Sequence, residues 1–160
     1  MNEASFEELY AAHSHRILGF FLRRVEPSED AADLVTEVFT IAWRRIAAVP
    51  EGEAAKLWLY GVARKVLANH LRGSVRRHRL AERLREHLAT ARGDDGGSHV
   101  RQALSRLPEK DREILSLSAW EGLSAPEIAQ LLGLGPEAVR SRLSRARARL
   151  RDELSPQRTR

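Results

Sequence analysis

The chain has no cysteine. That excludes a disulfide framework and every thiolate-based metal or redox site, and it suits a reducing compartment. Long apolar runs are missing too: none approaches the roughly 18 residues that a membrane span needs. The acidic start Met1-Asn2-Glu3-Ala4 has neither the basic nor the apolar part of a secretion signal. A soluble, cytoplasmic protein with no membrane insertion is expected. Sustained alternation of apolar and polar residues, the mark of a half-buried strand, is not found. The glycines around Gly96 are not followed by the Lys-Ser or Lys-Thr of a phosphate-cradling loop, and no His-Glu-x-x-His occurs. The six histidines, His13, His15, His70, His78, His87 and His99, do not replace such motifs. His13 and His15 are two residues apart and diverge on a helix, and His70 and His78 are too dispersed to share an ion. No metal, no cofactor and no catalytic residue are expected, so the chain is read as a non-enzyme.

What is present is helical. With 160 residues and 42% hydrophobic content, the chain can fold as one ordinary domain or two small ones. Its apolar spacing follows the helical period almost throughout. The expected fold class is all-α, with two small helical domains joined by a flexible linker. A first helix is predicted over 6–24, capped by Ser5 with Glu8 three residues on, with Phe6, Leu9, Tyr10, His13, Ile17 and Phe20 or Phe21 inward. A second follows Pro27-Ser28 and runs to Ile46. A third spans 54–72 or beyond and leads into the basic run Arg76-Arg77-His78-Arg79. The stretch Arg92-Gly93-Asp94-Asp95-Gly96-Gly97-Ser98 has the glycines and acids of a linker. Two short helices over 100–107 and 108–119 then support a final helical pair, and the tail after Leu154 frays.

That final pair is the most informative segment. In Leu123-Ser124-Ala125-Pro126-Glu127-Ile128-Ala129-Gln130-Leu131-Leu132-Gly133-Leu134-Gly135-Pro136, Ser124 and Glu127 form a capping box and Ala129 is small enough for close helix contact. Gly133 can take a left-handed turn, and Gly135-Pro136 restarts a helix at N-cap and N1. This is a helix-turn-helix, whose second helix suits a DNA major groove. On that helix Val139, Leu143, Ala146 and Leu150 pack inward. Glu137, Ser141, Ser144 and Arg145 face outward, where Arg favours guanine and Glu can accept from cytosine. Arg140, Arg142 and Arg149 flank the strip as phosphate clamps. Arg147 and Arg151 read as a solvated helix terminus.

Charge is unevenly placed. The net +5 divides into −5 over residues 1–40, +8 over 41–92, −3 over 93–135 and +5 over 136–160. Two basic blocks imply two contacts with a polyanion, although either block alone is also what a solvated Arg-rich helix shows.

On the second helix Ala31, Leu34, Val35, Val38, Phe39, Ala42 and Ile46 share one face, at about 100° per residue. Asp33, Thr36, Glu37, Thr40 and Arg44 lie opposite, edged by Trp43. The strip is either an ordinary solvated face or a partner surface anchored by an aromatic. On the third helix Leu59, Val62, Ala63 and Val66 cluster, with Arg64, Lys65, Asn69 and Arg72 on the reverse. Trp58 either stacks on an unpaired base or packs beneath the preceding loop.

Taken in order, these segments resemble the extracytoplasmic-function (ECF) group of bacterial RNA polymerase sigma factors over nearly the whole chain. Ser28-Glu29-Asp30-Ala31-Ala32-Asp33-Leu34-Val35-Thr36-Glu37-Val38-Phe39 resembles the family's polymerase-binding segment. Trp58-Leu59-Tyr60-Gly61-Val62-Ala63-Arg64-Lys65 resembles the segment that opens and reads the −10 element. The helix-turn-helix with Val139-Arg140-Ser141-Arg142-Leu143-Ser144-Arg145-Ala146 resembles the −35 reader. Thr36 stands where the family often has Gln, Lys65 where Asn is common, and Ala138 where Thr is common.

The resemblance implies domains over 1–78 (region 2-like) and 100–155 (region 4-like), with a linker over 79–99. It implies core polymerase as a partner, docked through Asp33, Thr36, Glu37, Thr40 and Trp43. Promoter DNA would meet Trp58, Arg64, Lys65, Asn69 and Arg72 at the −10 element, with the loop 49–53 selecting an extruded base. At the −35 element it would meet Glu137, Arg140, Ser141, Arg142, Ser144, Arg145 and Arg149. An anti-sigma factor would hold the protein inactive. Two rival readings remain open from the residues: a conventional helix-turn-helix regulator with an N-terminal sensing or dimerising domain, and a helical adaptor that never uses DNA.

Overall fold

The structure is a computed structural model. It describes the backbone of residues 3–85 and 97–155, and the side chains of 3–73 and 99–155. Seven α-helices and one short 3-10 turn make up the described residues, with no strand among them. The chain divides into two compact units, Met1–Ala89 and Thr90–Arg160.

The first unit is a three-helix assembly. Helix α1 (Glu3–Leu22) packs on α2 (Asp30–Arg44), and both pack on α3 (Ala54–Arg85). Ile17, Phe20 and Phe21 of α1, Val38 and Ala42 of α2, and Leu59, Tyr60 and Ala63 of α3 are essentially sealed from solvent. This burial of apolar surface is the main stabilising term for so small a core. Of the predicted face of α2, six residues are buried, and Ile46 falls beyond the helix end, half-buried in the 3-10 turn Ile46–Ala48.

Several expectations are corrected here. Helix α1 starts at Glu3, so Ser5 lies within it and does not cap it. An acidic residue in the first turn favours the helix dipole and Ala4 is a strong helix former, so the earlier start is the stable one. Helix α2 ends at Arg44 instead of Ile46 because the chain tightens into i→i+3 bonds, Ala48 N–H to Arg45 C=O at 2.8 Å and Val49 N–H to Ile46 C=O at 3.3 Å. Val49 then takes an extended conformation, as a residue before proline must when the helical region is disfavoured. Tyr10, expected inward, is 48% exposed. Val62 is half-buried, whereas Tyr60, not assigned to the core, is 1% exposed because both α1 and α2 cover α3 there.

Helix α3 continues to Arg85, and α4 (Gly97–Ser105) begins three residues ahead of position 100. Both reach into the span 79–99 read as linker, because Leu80-Ala81-Glu82-Arg83-Leu84-Arg85 is a run of strong helix formers. The glycine-acid segment 92–96, His87 and the final tail 156–160 lie outside the described residues, as do the side chains of Arg76, Arg77, His78 and Arg79.

The second unit contains α4, α5 (Glu109–Ala119), α6 (Ala125–Leu132) and α7 (Pro136–Leu154). Ile114 and Leu117 of α5, Ile128 and Ala129 of α6, and Val139, Leu143 and Ala146 of α7 form its centre. The turn chemistry is as predicted. Ser124 Oγ accepts from the Glu127 N–H at 3.3 Å, and Glu127 Oε1 accepts from the Ser124 N–H at 3.1 Å. Gly133 has φ +67°, and Leu134 N–H reaches back to Ala129 C=O at 2.9 Å. Gly135 then caps α7 with Pro136 in its first turn.

Candidate partner and nucleic-acid interfaces

The first face belongs to α2. Asp33, Thr36, Glu37, Thr40 and Trp43 are all exposed, since the six buried residues of the helix occupy the other side. Thr36 donates its hydroxyl to Ala32 C=O at 3.1 Å and Thr40 to Thr36 C=O at 2.7 Å. Both protons therefore turn back onto the helix, and the face presents acceptors and carboxylates. Trp43 is 48% exposed and meets Phe6 edge-on at 5.1 Å. Tyr10 meets Phe39 at 4.8 Å in the same manner. Helix α1 thus contributes Phe6 and Tyr10 to an aromatic ridge beside the acidic strip. Sequence reasoning missed Tyr10, whose apolar spacing matched the core; a polar tip on an aromatic body was the available signal.

The second face is on α3. Lys65, Asn69 and Arg72 are exposed and Arg64 and Trp58 half-buried. Arg72 Nη2 donates to Asn69 Oδ1 at 2.6 Å, so these two are fixed as a pair. The loop 49–53 that precedes α3 is anchored by buried Val49. Gly52 turns it at φ +65°, a conformation for which a side chain would be strained, and exposes Glu51 and Glu53.

His13 of α1 lies in the electrostatic reach of this loop. Burial pushes its pKa below the ordinary value and Arg16 and Lys56 push the same way, while Glu53 opposes them. Its Nδ1 is buried with no hydrogen-bond partner. His70 Nε2 stands 3.7 Å from Asp30 Oδ2, tying α3 to the first turn of α2.

The third face is on α7. Glu137, Arg140, Ser141, Ser144, Arg145 and Arg149 are exposed, whereas Arg142 is half-buried. Val139, Leu143 and Ala146 are buried as predicted, and Leu150 is half-buried. Arg140 pairs with Glu137, and Arg145 Nε donates to Ser141 C=O at 3.3 Å. Arg142 Nη1 donates to Asp111 Oδ1 on α5 at 3.3 Å. Nothing in the sequence pattern singled out Asp111.

No helix among the described residues is long and apolar enough to cross a membrane. No group of three His, Cys, Asp or Glu among them is placed to hold a metal ion.

A helical unit with an acidic and aromatic face, followed by a helix-turn-helix unit whose second helix is basic, has the architecture of a DNA-binding protein. Residues 9–77 match sigma-70 region 2 and residues 99–150 match sigma-70 region 4. The chain is 30% identical to the RNA polymerase sigma-H factor of Pseudomonas aeruginosa, over 97% of this chain and 89% of that one. It is 34% identical to the RNA polymerase sigma factor CarQ of Myxococcus xanthus, over 94% and 89%. The fold is that of the sigma factor RpoE solved in complex with the anti-sigma factor NepR from Bartonella quintana, with TM-score 0.71, 22% identity, and 96% and 99% of the two chains covered. The chain belongs to the ECF sigma factors of RNA polymerase, which are transcription initiation factors.

Proposed function

We propose that this sigma factor docks on core RNA polymerase through Asp33, Thr36, Glu37, Thr40 and Trp43, and reads a promoter with the two basic faces. The observation that carries the reading is the segregation of charge onto different helices: carboxylates and a half-exposed Trp on α2, and basic faces on α3 and α7. One surface then need not serve both a protein and a polyanion. At the −10 element Arg64, Lys65, Asn69 and Arg72 follow the backbone of the opened strand, Trp58 supports the displaced bases, and the loop 49–53 selects one of them. At the −35 element Glu137, Ser141, Ser144 and Arg145 read base edges while Arg140 and Arg149 hold phosphates.

The protein acts by recognition in the cytoplasm and performs no covalent step of its own. The region 2-like domain over 1–78 carries polymerase docking and the −10 element, and the region 4-like domain over 100–155 carries the −35 element. RpoE, which shares the fold, was solved in complex with the anti-sigma factor NepR from Bartonella quintana; a partner of that kind covers the polymerase and DNA faces here and keeps the protein inactive. The test is binding of the full chain to bacterial core polymerase. The pair Asp33→Arg and Glu37→Arg is expected to weaken it at least ten-fold in a chain with unchanged helix content. Unchanged binding in that folded variant overturns the assignment of α2.

A further inference from the structure

We infer that Asp111 is a positioning residue for promoter recognition, and that Arg142 serves it instead of clamping a phosphate. The inference deepens the −35 reading and rests on it. Asp111 is one of two buried polar or charged residues among those described, the other being Ser116. Its side chain retains 13% exposure and receives Arg142 Nη1 at 3.3 Å. A carboxylate is held so far from water only with a partner, since an unpaired buried charge is strongly unfavourable. Arg142, whose side chain is 38% exposed, is the charged partner that α7 offers it.

A second tie supports the same function. Arg147 Nη2 donates to Ser118 Oγ, also on α5, at 3.4 Å. Positions 142 and 147 are separated by about 140° around α7, at about 100° per residue. They lie on either side of the buried line Val139, Leu143 and Ala146. Two ties on opposite flanks, both to one helix, oppose rotation of α7 about its axis in either sense. A third, Arg106 Nη1 to Glu153 Oε2 at 2.7 Å, fastens the far end of α7 to the turn that follows α4. Apolar packing alone tolerates such rotation better than directional bonds do, because it is non-directional. What the ties preserve is the outward aim of Glu137, Ser141 and Arg145.

The experiment uses the full chain assembled with core polymerase and a promoter duplex library randomised across the −35 window. The tightest duplex selected is then bound at several KCl concentrations. A lost phosphate contact lowers the slope of log K against log salt by about 0.9, while a lost positioning contact does not move it. Arg149→Ala supplies the phosphate control. Asp111→Ala and Arg142→Ala are each expected to weaken the selected duplex ten-fold or more, to flatten base preference, and to leave the slope unchanged, with the double variant no worse than either single one. The exchanged pair, Asp111→Arg with Arg142→Asp, is expected to recover binding relative to Arg142→Asp alone. A slope reduced by about 0.9 in Arg142→Ala with Asp111→Ala neutral overturns the proposal, as does an exchanged pair that recovers nothing. If the unaltered chain selects no preferred duplex, the −35 reading fails, and the proposal with it.

Discussion

Replacing Gly133 by Ala tests whether the turn between α6 and α7 is set by backbone conformation alone. Gly133 has φ +67°, and a Cβ built on it would meet nothing within 4 Å. The substitution therefore adds no clash, and its effect is the difference between two backbone terms. The left-handed conformation costs an L-residue about 1–2 kcal/mol. The loss of freedom in the unfolded chain returns about 0.4–1 kcal/mol. Taken at the midpoints of both ranges, the net effect is a destabilisation of about 0.8 kcal/mol, which speeds local opening about four-fold. Amide exchange of peptides within 125–146 of the full-length chain reads this directly. Gly133→Asn should lose less, because Asn tolerates the left-handed region. Gly135→Ser is the internal control: its Cβ also meets nothing within 4 Å, but its φ of −74° suits any residue. A hydroxyl at the α7 N-cap should slow opening slightly. Exchange in Gly133→Ala that is unchanged or slower would refute the reasoning, since it would mean that the left-handed turn is not what joins the two helices.

Ser124→Ala removes the acceptor for the Glu127 N–H and should destabilise the second unit by about 1 kcal/mol, seen as about five-fold faster exchange in α6. Ile128→Ala empties a fully buried site and should cost about 2–5 kcal/mol, read from the urea midpoint of the same unit. His13 carries the one pH prediction. Its folded-state pKa lies below the ordinary histidine value of 6.5 because burial disfavours the charged form. As pH falls through that unfolded value the unfolded chain takes the proton first, so stability of the first unit declines from about pH 6.5 downward. His13→Gln should flatten that decline in urea titrations at stepped pH, and an unaltered slope would remove His13 as its source.

The parts of the fold that were legible in the sequence are those decided locally. Ser124, Glu127, Gly133 and Pro136 each act within one turn of the chain, so their identities fix α6, the turn and the start of α7 without knowledge of anything distant. The buried face of α2 was legible for a similar reason, because α2 is covered along one side and its spacing reports that side. Tyr60 was not legible, since an aromatic with a polar tip reads as a rim residue, yet it is buried with its ring 5.9 Å from that of Phe20. Tyr10 failed the other way: its spacing fits the core, but it is 48% exposed, with Phe39 edge-on to its ring. Ser5 satisfied the capping pattern with Glu8 and was nevertheless overridden by Glu3 and Ala4, which extend the helix past it.

Helix α7 shows why its functional residues were only partly legible. The helix holds Arg140, Arg142, Arg145, Arg147, Arg149 and Arg151 within about 3.3 turns, and like charges so close oppose helix formation. Sequence position sorts these arginines by angle, which predicts exposure, but it says nothing of which acid stands opposite from another helix. The fold supplies Asp111 from α5 to Arg142, Ser118 from α5 to Arg147, and Glu137 within α7 to Arg140. The two acids offset the charge of Arg142 and Arg140, while the Ser118 hydroxyl ties Arg147 down without offsetting its charge. Arg140, Arg145 and Arg149 remain exposed, at the positions proposed to meet DNA. The same residue type therefore serves two ends in one helix, and the division between them follows from tertiary pairing across 31 residues of sequence, which no local pattern records.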